Sequence, residues 1–195
     1  MKHIILTTIM ALLIILNFVQ AQSYEDEAEK CTADFQRKLA NKEADVFSTA
    51  GHCLVGLPFP YFNLTSIDGE QYKLNELKGK IIMLNFWFID CSLCVDQIPL
   101  LNQLAEEYKE EDFLLLSFST DDKEIISNVK KSHELKYVVF ENSRDLIQET
   151  FRIPYGYPAN IFLDKEGKII DLKLGGDPKK LKTTFKGIID TGLMK

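Results

Sequence analysis

From about residue 80 onward, two continuous apolar runs are each followed by a stretch in which apolar residues recur at helical spacing. Two stretches, KIIMLNFWFI at positions 80–89 and DFLLLSFST at positions 112–120, are apolar almost throughout, which is typical of strands covered on both faces of a sheet. Behind each stretch, apolar residues recur three and four positions apart. This spacing predicts an amphipathic helix from Cys91 to Asp112 and another from Asp122 to His133. Pro99 lies inside the first helix and is expected to kink it.

Shorter patterns and turn signals predict the remaining elements. In chain order these are a hairpin around Asp68-Gly69, a strand at 137–140, a helix at 143–151 and two strands joined by a turn at 165–168. Asp177 and Pro178 suit the N-cap and first turn of a last helix, whose expected inward residues are Leu181, Phe185, Ile188 and Ile189. A β-α-β-α-β unit followed by β-β-α predicts an α/β fold with a mixed sheet.

An amphipathic helix is also predicted before this fold, over residues 24–41. Its apolar face consists of Ala28, Cys31, Phe35 and Leu39. Glycine and proline residues interrupt the pattern from Gly56 onward, so we place a boundary there. The expected organisation is a leader at 1–21, a helical extension at 22–55 and one domain at 56–195. The chain is 195 residues long and 46% hydrophobic, which is enough for one ordinary core.

The leader has the composition of a secretory signal peptide. Lys2 is followed by an almost unbroken apolar run from Ile4 to Val19, and Val19 and Ala21 are small residues suited to cleavage before Gln22. We therefore expect a periplasmic or secreted protein. If the leader is not cleaved, it would act as a membrane anchor.

The charge of the chain narrows the choice of partner. The full chain has a formal charge of −6, and removal of residues 1–21 takes away Lys2 alone among the charged residues, which leaves −7. Such acidity argues against nucleic acid or an anionic membrane surface as a partner of the mature protein.

Cys91 and Cys94 form a C-x-x-C pair at the junction of a predicted strand and helix. Free N–H groups and the helix dipole stabilise a thiolate at a helix N-terminus, which favours Cys91 as an attacking thiol. Cys94 lies one turn later on the same face, where it can close a disulfide with Cys91 and release the product as the resolving thiol.

A zinc site and a purely structural disulfide are the alternatives for this pair. A structural zinc site needs four cysteine or histidine ligands, but the mature chain has only His52 and His133 and the remaining cysteines lie far upstream. We therefore expect no metal. A structural disulfide between Cys91 and Cys94 would close a loop too short to constrain the unfolded chain much.

Around this pair the sequence resembles thioredoxin-like proteins of the TlpA/ResA type. NFWFIDCSLCVDQIP is similar to their motif N-F-W-x-x-W-C-x-x-C-x-x-E-x-P, and the stretch at 55–84 is similar to their lead-in hairpin and LxGK turn. YGYPANIFLDKEGKII resembles the segment that carries their cis-proline. The resemblance covers 56–190 and implies a thioredoxin fold: a mixed central sheet flanked by helices, with an N-terminal hairpin and, here, an appended helix.

The resemblance also implies roles for individual residues. Cys91 would be the nucleophile and Cys94 the resolving thiol of a thiol–disulfide oxidoreductase that needs no cofactor. Pro158 would follow Tyr157 in a cis peptide and leave backbone groups free for an extended substrate. Pro154 is the competing proline, and a further alternative is that Pro158 merely begins a strand. Trp87 belongs to the motif and is expected to support the site.

Three positions depart from the motif. Asp90 replaces a tryptophan of the substrate-contacting surface, Gln97 replaces a glutamate that moves protons near the buried cysteine, and Ser92-Leu93 contains no proline or histidine. A carboxylate about 6–8 Å from a thiolate repels it by about 1–2 kcal/mol, or about one pKa unit. Alternatively, Asp90 caps the helix and competes for its N–H groups. Either effect predicts a comparatively reducing pair, although a solvent-facing Asp90 without influence is the third possibility.

Cys31 and Cys53 flank the extension. A disulfide between them would stabilise the fold by roughly 3 kcal/mol in the chain-entropy model, and the alternative is a redox relay with Cys91. The expected partners are protein thiols and disulfides, with a membrane thiol shuttle as electron donor and a reductive direction.

Two rival functions are a thiol peroxidase of the peroxiredoxin type and a non-enzymatic module that binds metal or protein. Peroxiredoxin-type peroxidases place threonine and proline where Phe88 and Leu84 stand. Copper-delivery relatives use C-x-x-x-C with a later histidine, and this chain has none after His133. Both rivals therefore fit the sequence less well than an oxidoreductase.

Overall fold

The computed structural model describes residues 24–195. The predicted leader at 1–21 lies outside the described residues. Within 24–195, no helix combines the length and apolar composition needed to cross a bilayer.

Within residues 24–195, seven strands form two sheets. They are β1 (Asn63–Thr65), β2 (Gln71–Lys73), β3 (Ile81–Trp87), β4 (Phe113–Ser119), β5 (Val138–Phe140), β6 (Ala159–Leu163) and β7 (Ile169–Leu174). Strands β1 and β2 pair antiparallel as the predicted hairpin. The central sheet has the order β5-β4-β3-β6-β7, with β3, β4 and β5 parallel and β6 and β7 antiparallel to their neighbours. The predicted α/β thioredoxin fold is confirmed.

In the described part of the chain, four α-helices pack on the central sheet. They are α1 (residues 24–40), α2 (Ser92–Glu107), α3 (Lys123–His133) and α4 (Pro178–Leu193). Asp122 and Asp177 cap α3 and α4, because their side chains accept from the N–H groups of Ile125 and Lys179. Helix α2 continues through Pro99, whose ring lies on the exposed side.

The two faces of β3 explain how the core is divided. Ile81, Met83 and Trp87 lie in one hydrophobic cluster with residues of α2, α3 and α4. Ile82, Leu84 and Phe86 belong to a second cluster that also contains residues of α1. Every residue of β3 is buried, so its continuous apolar pattern follows from coverage on both faces.

Helix α1 is part of the second cluster. Tyr24, Ala28, Cys31 and Phe35 are buried there, the Tyr24 hydroxyl donates to the Phe151 carbonyl at 2.7 Å, and the rings of Phe35 and Tyr155 meet edge to face at 5.2 Å. Helix α1 therefore covers one face of the sheet. The division at Gly56 stays a prediction about sequence organisation, because both parts share one core.

Three helices differ in detail from the sequence expectations. The helix expected from Cys91 to Asp112 ends at Glu107, with Tyr108 as its C-cap. Leu39, expected on the inner face of α1, is 42% exposed in the last turn of that helix. The predicted helix at 143–151 contains a five-residue π-helical stretch, Leu146–Thr150. Its buried residue, Ile147, joins the cluster on the α1 side.

Candidate functional site

The two cysteines lie where β3 ends and α2 begins. A turn follows Trp87, in which the Cys91 N–H donates to the Phe88 carbonyl at 3.3 Å. Cys91 is then the N-cap of α2, and its sulfur accepts from the Cys94 N–H at 3.2 Å. The sequence produces this geometry because a buried strand ends in a turn directly before an amphipathic helix. The Cys91 sulfur therefore meets the free N–H groups of α2.

Cys91 and Cys94 are joined by a disulfide with a Cα–Cα distance of 5.2 Å. Cys94 is 2% exposed and belongs to the cluster under α2, whereas Cys91 is partly exposed. The two sulfurs thus differ in access to solvent.

Asp90 is exposed and immediately precedes this pair. The alternative in which its carboxylate caps α2 is wrong, since the Cys91 sulfur occupies the N-cap position. The physical reason is the position of the helix start. Asp90 lies one residue before the N-cap, and the Cys91 side chain takes the place that a capping carboxylate would have. Two alternatives remain: the charge of Asp90 acts on Cys91, or Asp90 faces solvent without influence.

Tyr157, the residue before Pro158, lies against the same region. The Tyr157–Pro158 peptide is the one cis bond in residues 24–195, and Pro154 is therefore trans. The Tyr157 ring meets the Phe88 ring edge to face at 5.3 Å, and both Tyr157 and Cys91 pack against the cluster under α2. Burial raises the pKa of Tyr157, and Arg144 opposes that rise.

Trp87 and Gln97 are buried beneath the pair. Trp87 is 2% exposed, belongs to the same cluster as Cys94 and leaves its indole N–H without a partner. Gln97 is fully buried one turn after Cys94; its Oε1 accepts from Asn160 at 3.3 Å and its Nε2 donates to the Gly175 carbonyl at 3.4 Å. Both groups of the Gln97 amide are therefore engaged.

Gln97 ends a row of buried polar side chains that sequence reasoning missed. The Ser117 hydroxyl donates to Asn85 at 3.0 Å, and the Asn85 amide donates to Asn160 at 2.9 Å. These residues are opposite each other on β4, β3 and β6, and all are at most 2% exposed. The sequence contains a signal for this row, because Asn85, Ser117 and Asn160 each lie between apolar residues of a strand.

A second missed residue, Asp121, lies in the loop after β4. Its carboxylate accepts from the Ile89 N–H at 2.8 Å and from the Ser119 hydroxyl at 2.8 Å. Ile89 belongs to the turn that leads to Cys91. No local pattern marks this contact, because 32 residues separate the two partners.

Cys31 and Cys53 form the second disulfide, with a Cα–Cα distance of 5.9 Å. It ties α1 to a short 3₁₀ helix, His52–Leu54. Cys31 belongs to the cluster on the α1 side of the sheet, whereas Cys94 belongs to the cluster on the α2 side. The two disulfides are therefore on different sides of the sheet, which disfavours a direct relay.

Residues 24–195 contain no group of three or more histidine, cysteine, aspartate or glutamate side chains placed to hold an ion.

Comparison with known proteins places this geometry in a family. The profile described as AhpC/TSA family matches residues 55–172. A thiol-disulfide oxidoreductase ResA of Bacillus cereus is 31% identical over 127 residues, which cover 65% of this chain and 73% of that protein.

Solved structures agree with this assignment. The thioredoxin domain of a thiol-disulfide oxidoreductase from Bacteroides vulgatus is 26% identical with a TM-score of 0.60, covering 69% of this chain and 97% of that one. The exposed lipoprotein thioredoxin of Streptococcus pneumoniae is 27% identical with a TM-score of 0.55, covering 65% and 98%. The chain therefore belongs to the AhpC/TSA family and is a thioredoxin-like thiol–disulfide oxidoreductase of the ResA/TlpA type.

Proposed function

We propose that the enzyme reduces protein disulfides outside the cytoplasm, with Cys91 as nucleophile and Cys94 as resolving thiol. The observation that carries this proposal is the unequal access of the two sulfurs. Cys91 caps α2 and is partly exposed, whereas Cys94 is 2% exposed one turn behind it. Such an arrangement separates attack from release, as a two-step exchange requires.

In the first step, the Cys91 thiolate of the reduced enzyme attacks one sulfur of a substrate disulfide. The substrate S–S bond breaks, one substrate sulfur leaves as a thiolate that takes a proton, and a mixed disulfide forms on Cys91. In the second step, Cys94 loses its proton and attacks the Cys91 sulfur. The second substrate thiol leaves, and the Cys91–Cys94 disulfide forms. The substrate gains the two electrons that the enzyme loses, so a dithiol donor must restore the reduced pair.

We base the reductive direction on the groups near Cys91 that favour or disfavour its thiolate. The Cys94 N–H and the helix N-terminus favour the thiolate. The exposed carboxylate of Asp90 is directly adjacent in the chain and disfavours it by electrostatic repulsion. A less stable thiolate makes the dithiol form less favourable relative to the disulfide, and the pair becomes a stronger reductant.

The substrate would be an extended polypeptide that lies across Cys91 and the segment of Pro158. The apolar side chains around that path are Phe88, Tyr157 and Leu93, the last of which is 51% exposed. Asp90, which is exposed and directly precedes Cys91, would border the same path. Trp87 and Gln97 support the site from below, the first as a buried ring and the second through Asn160 and Gly175.

An extracytoplasmic location is proposed from the leader sequence at 1–21. The name of the similar pneumococcal protein, an exposed lipoprotein thioredoxin, is consistent with it. The donor of electrons would then be a thiol shuttle in the membrane, because cytosolic dithiols do not reach that compartment.

Trapping with Cys94→Ser tests the assignment. Without the resolving thiol, mixed disulfides on Cys91 should persist, and mass spectrometry after non-reducing separation would identify the substrates. The matched control is the double variant Cys91→Ser/Cys94→Ser, which should trap nothing. If the single variant also traps nothing and its Cys91 resists alkylation, the proposed function is wrong.

A peroxide assay tests the main rival. The oxidoreductase proposed here should consume hydrogen peroxide no faster than a free dithiol, since Phe88 and Leu84 occupy the positions of the threonine and proline that peroxiredoxin-type enzymes use. Rapid, Cys91-dependent consumption would instead support a thiol peroxidase.

A further inference from the structure

The turn that presents Cys91 is held by a residue from another part of the chain. Within the turn, the Cys91 N–H donates to the Phe88 carbonyl at 3.3 Å, a hydrogen bond in which the Ile89 N–H takes no part. That N–H donates to Asp121 Oδ2 at 2.8 Å. This hydrogen bond therefore links the turn, through a side chain, to the loop that follows β4.

Asp121 is itself held in place. The Ser119 hydroxyl donates to the same Oδ2 at 2.8 Å, and the Asp121 N–H donates back to the Ser119 oxygen at 3.1 Å. On the other side, the Asn142 N–H donates to the Asp121 carbonyl at 2.8 Å. These contacts already restrict the Asp121 side chain, so its hydrogen bond with the Ile89 N–H costs little additional conformational entropy.

The backbone adds a second link between the same loops. The Thr120 N–H donates to the Trp87 carbonyl at 3.2 Å, beyond the last register pair of β3 and β4. The loop 119–121 thus contacts the chain at two successive points before Cys91. The first point is backbone to backbone and tolerates any side chain, whereas the second depends on the carboxylate of Asp121.

We propose that Asp121 is a positioning residue for Cys91: it fixes the turn at Ile89 so that the Cys91 sulfur stays at the N-terminus of α2, within reach of the Cys94 N–H. The inference rests on the proposed role of Cys91 as nucleophile. Asp121 makes its hydrogen bonds to Ile89, Ser119 and Asn142 and none to the Cys91 sulfur. Its effect passes through the backbone of Ile89 to Cys91.

Positioning and charge have opposite effects on the thiol, which makes the proposal testable. A negative charge near Cys91 disfavours its thiolate, so removal of the charge alone should lower the pKa of Cys91 or leave it unchanged. Loss of the turn geometry would move the sulfur away from the Cys94 N–H and the helix N-terminus, and this should raise the pKa of Cys91.

The experiment uses the full chain with Cys94→Ser, in which Cys91 is the single free thiol and the Cys31–Cys53 disulfide stays intact. The alkylation rate of Cys91 by iodoacetamide, followed against pH, measures its thiolate fraction. Asp121→Ala should lower that fraction about threefold or more at a fixed pH below the pKa, the effect of half a pKa unit or more. Asp121→Asn keeps an oxygen acceptor and should match or exceed the parent.

Asp122→Asn is the matched control. It removes a carboxylate at the adjacent position, where Asp122 caps α3 through the Ile125 N–H and has no contact with Ile89. This variant should titrate like the parent. An amide NMR spectrum should show the Ile89 N–H shifted strongly in Asp121→Ala and less in Asp121→Asn.

Two results would overturn the proposal. An equal fall in the Cys91 pKa in both Asp121 variants would mean that Asp121 acts by charge alone, and unchanged titration in both would mean that it has no role. If Asp121→Ala does not fold, Ser119→Ala, which removes the hydroxyl that orients the carboxylate, should shift the titration upward by a smaller amount. Since the readout is the ionisation of one thiol, it remains valid even if substrate trapping fails.

Discussion

The side-chain oxygen of Gln97 accepts a hydrogen bond from the Asn160 amide at 3.3 Å, with both residues fully buried. Gln97 lies on α2 one turn after Cys94, and Asn160 lies two residues after Pro158. The same Gln97 amide donates to the Gly175 carbonyl, and the Gly175 N–H donates to the Pro158 carbonyl at 2.8 Å. A neutral, fully engaged amide thus connects the cysteine helix to the Pro158 segment by two routes.

This arrangement predicts a pH-dependent loss of stability in Gln97→Glu. The carboxylate would lose the donor to Gly175 and would carry a charge in a buried site, and desolvation would raise its pKa. Because the folded pKa would exceed the unfolded one, the cost would be small below about pH 4, grow as the pH rises through the interval between the two values, and persist above it. At pH 7 the free energy of unfolding should fall by about 1–3 kcal/mol or more.

Urea unfolding at pH 4 and pH 7.5 measures this dependence. Gln103→Glu is the control, since Gln103 lies exposed on the same helix. Equal stability loss at both pH values would show that packing, and not ionisation, determines the cost.

Asp90→Asn should make the Cys91–Cys94 pair more oxidising. Removal of about one pKa unit of repulsion stabilises the Cys91 thiolate by up to about 1.4 kcal/mol, which corresponds to about 30 mV for a two-electron couple. Equilibration with a glutathione buffer of known ratio gives the potential. Asp96→Asn, at an exposed position further along α2, should shift it less. A potential that is unchanged or lower in Asp90→Asn would contradict the reducing role assigned to that carboxylate.

Cys31→Ser/Cys53→Ser should lower stability without changing the chemistry at Cys91. The disulfide spans a sequence separation of 22, for which the chain-entropy model gives about 3 kcal/mol. Urea unfolding under non-reducing conditions measures the expected loss. The rate at which Cys91 exchanges with a model disulfide should stay within about twofold of the parent, because the two pairs lie on different sides of the sheet. A large fall in that rate would support the alternative in which Cys31 and Cys53 form a redox relay with Cys91.

Buried tyrosines should make the fold sensitive to alkali. Burial raises the pKa of Tyr155 to about 12 and also raises that of Tyr24 and Tyr137. In the unfolded chain these hydroxyls ionise near pH 10. Stability is therefore fully present below about pH 10 and is lost progressively as the pH rises through the raised folded values.

Urea unfolding at pH 8 and pH 11 tests this sign, and tyrosinate absorbance should increase on unfolding at the higher pH. Tyr155→Phe should reduce the difference between the two pH values. A fold that is equally stable at both would mean that these hydroxyls already reach solvent.

Much of the fold could be predicted from local spacing. The apolar run of β3, the amphipathic spacing of α2 and the Asp177-Pro178 start of α4 each depend on residues within a few positions of one another. Hydrophobic periodicity in the sequence detects such short-range relationships. The family resemblance added the cis peptide before Pro158, and the cysteine pair could be placed at a helix N-terminus because a strand directly precedes it.

The rest depends on residues far apart in the chain. Sequence spacing places Leu39 on the apolar face of α1, but in the structure Leu39 is exposed in the last turn of that helix. Asp121 reaches Ile89 across 32 residues, and Asn85 reaches Asn160 across 75. These partners meet because of strand order and register, which are set when two faces of one sheet are buried together. Local sequence patterns specify the helices, the strands and the position of the cysteine pair, whereas the strand order and register of the tertiary structure bring the distant polar groups together near that pair.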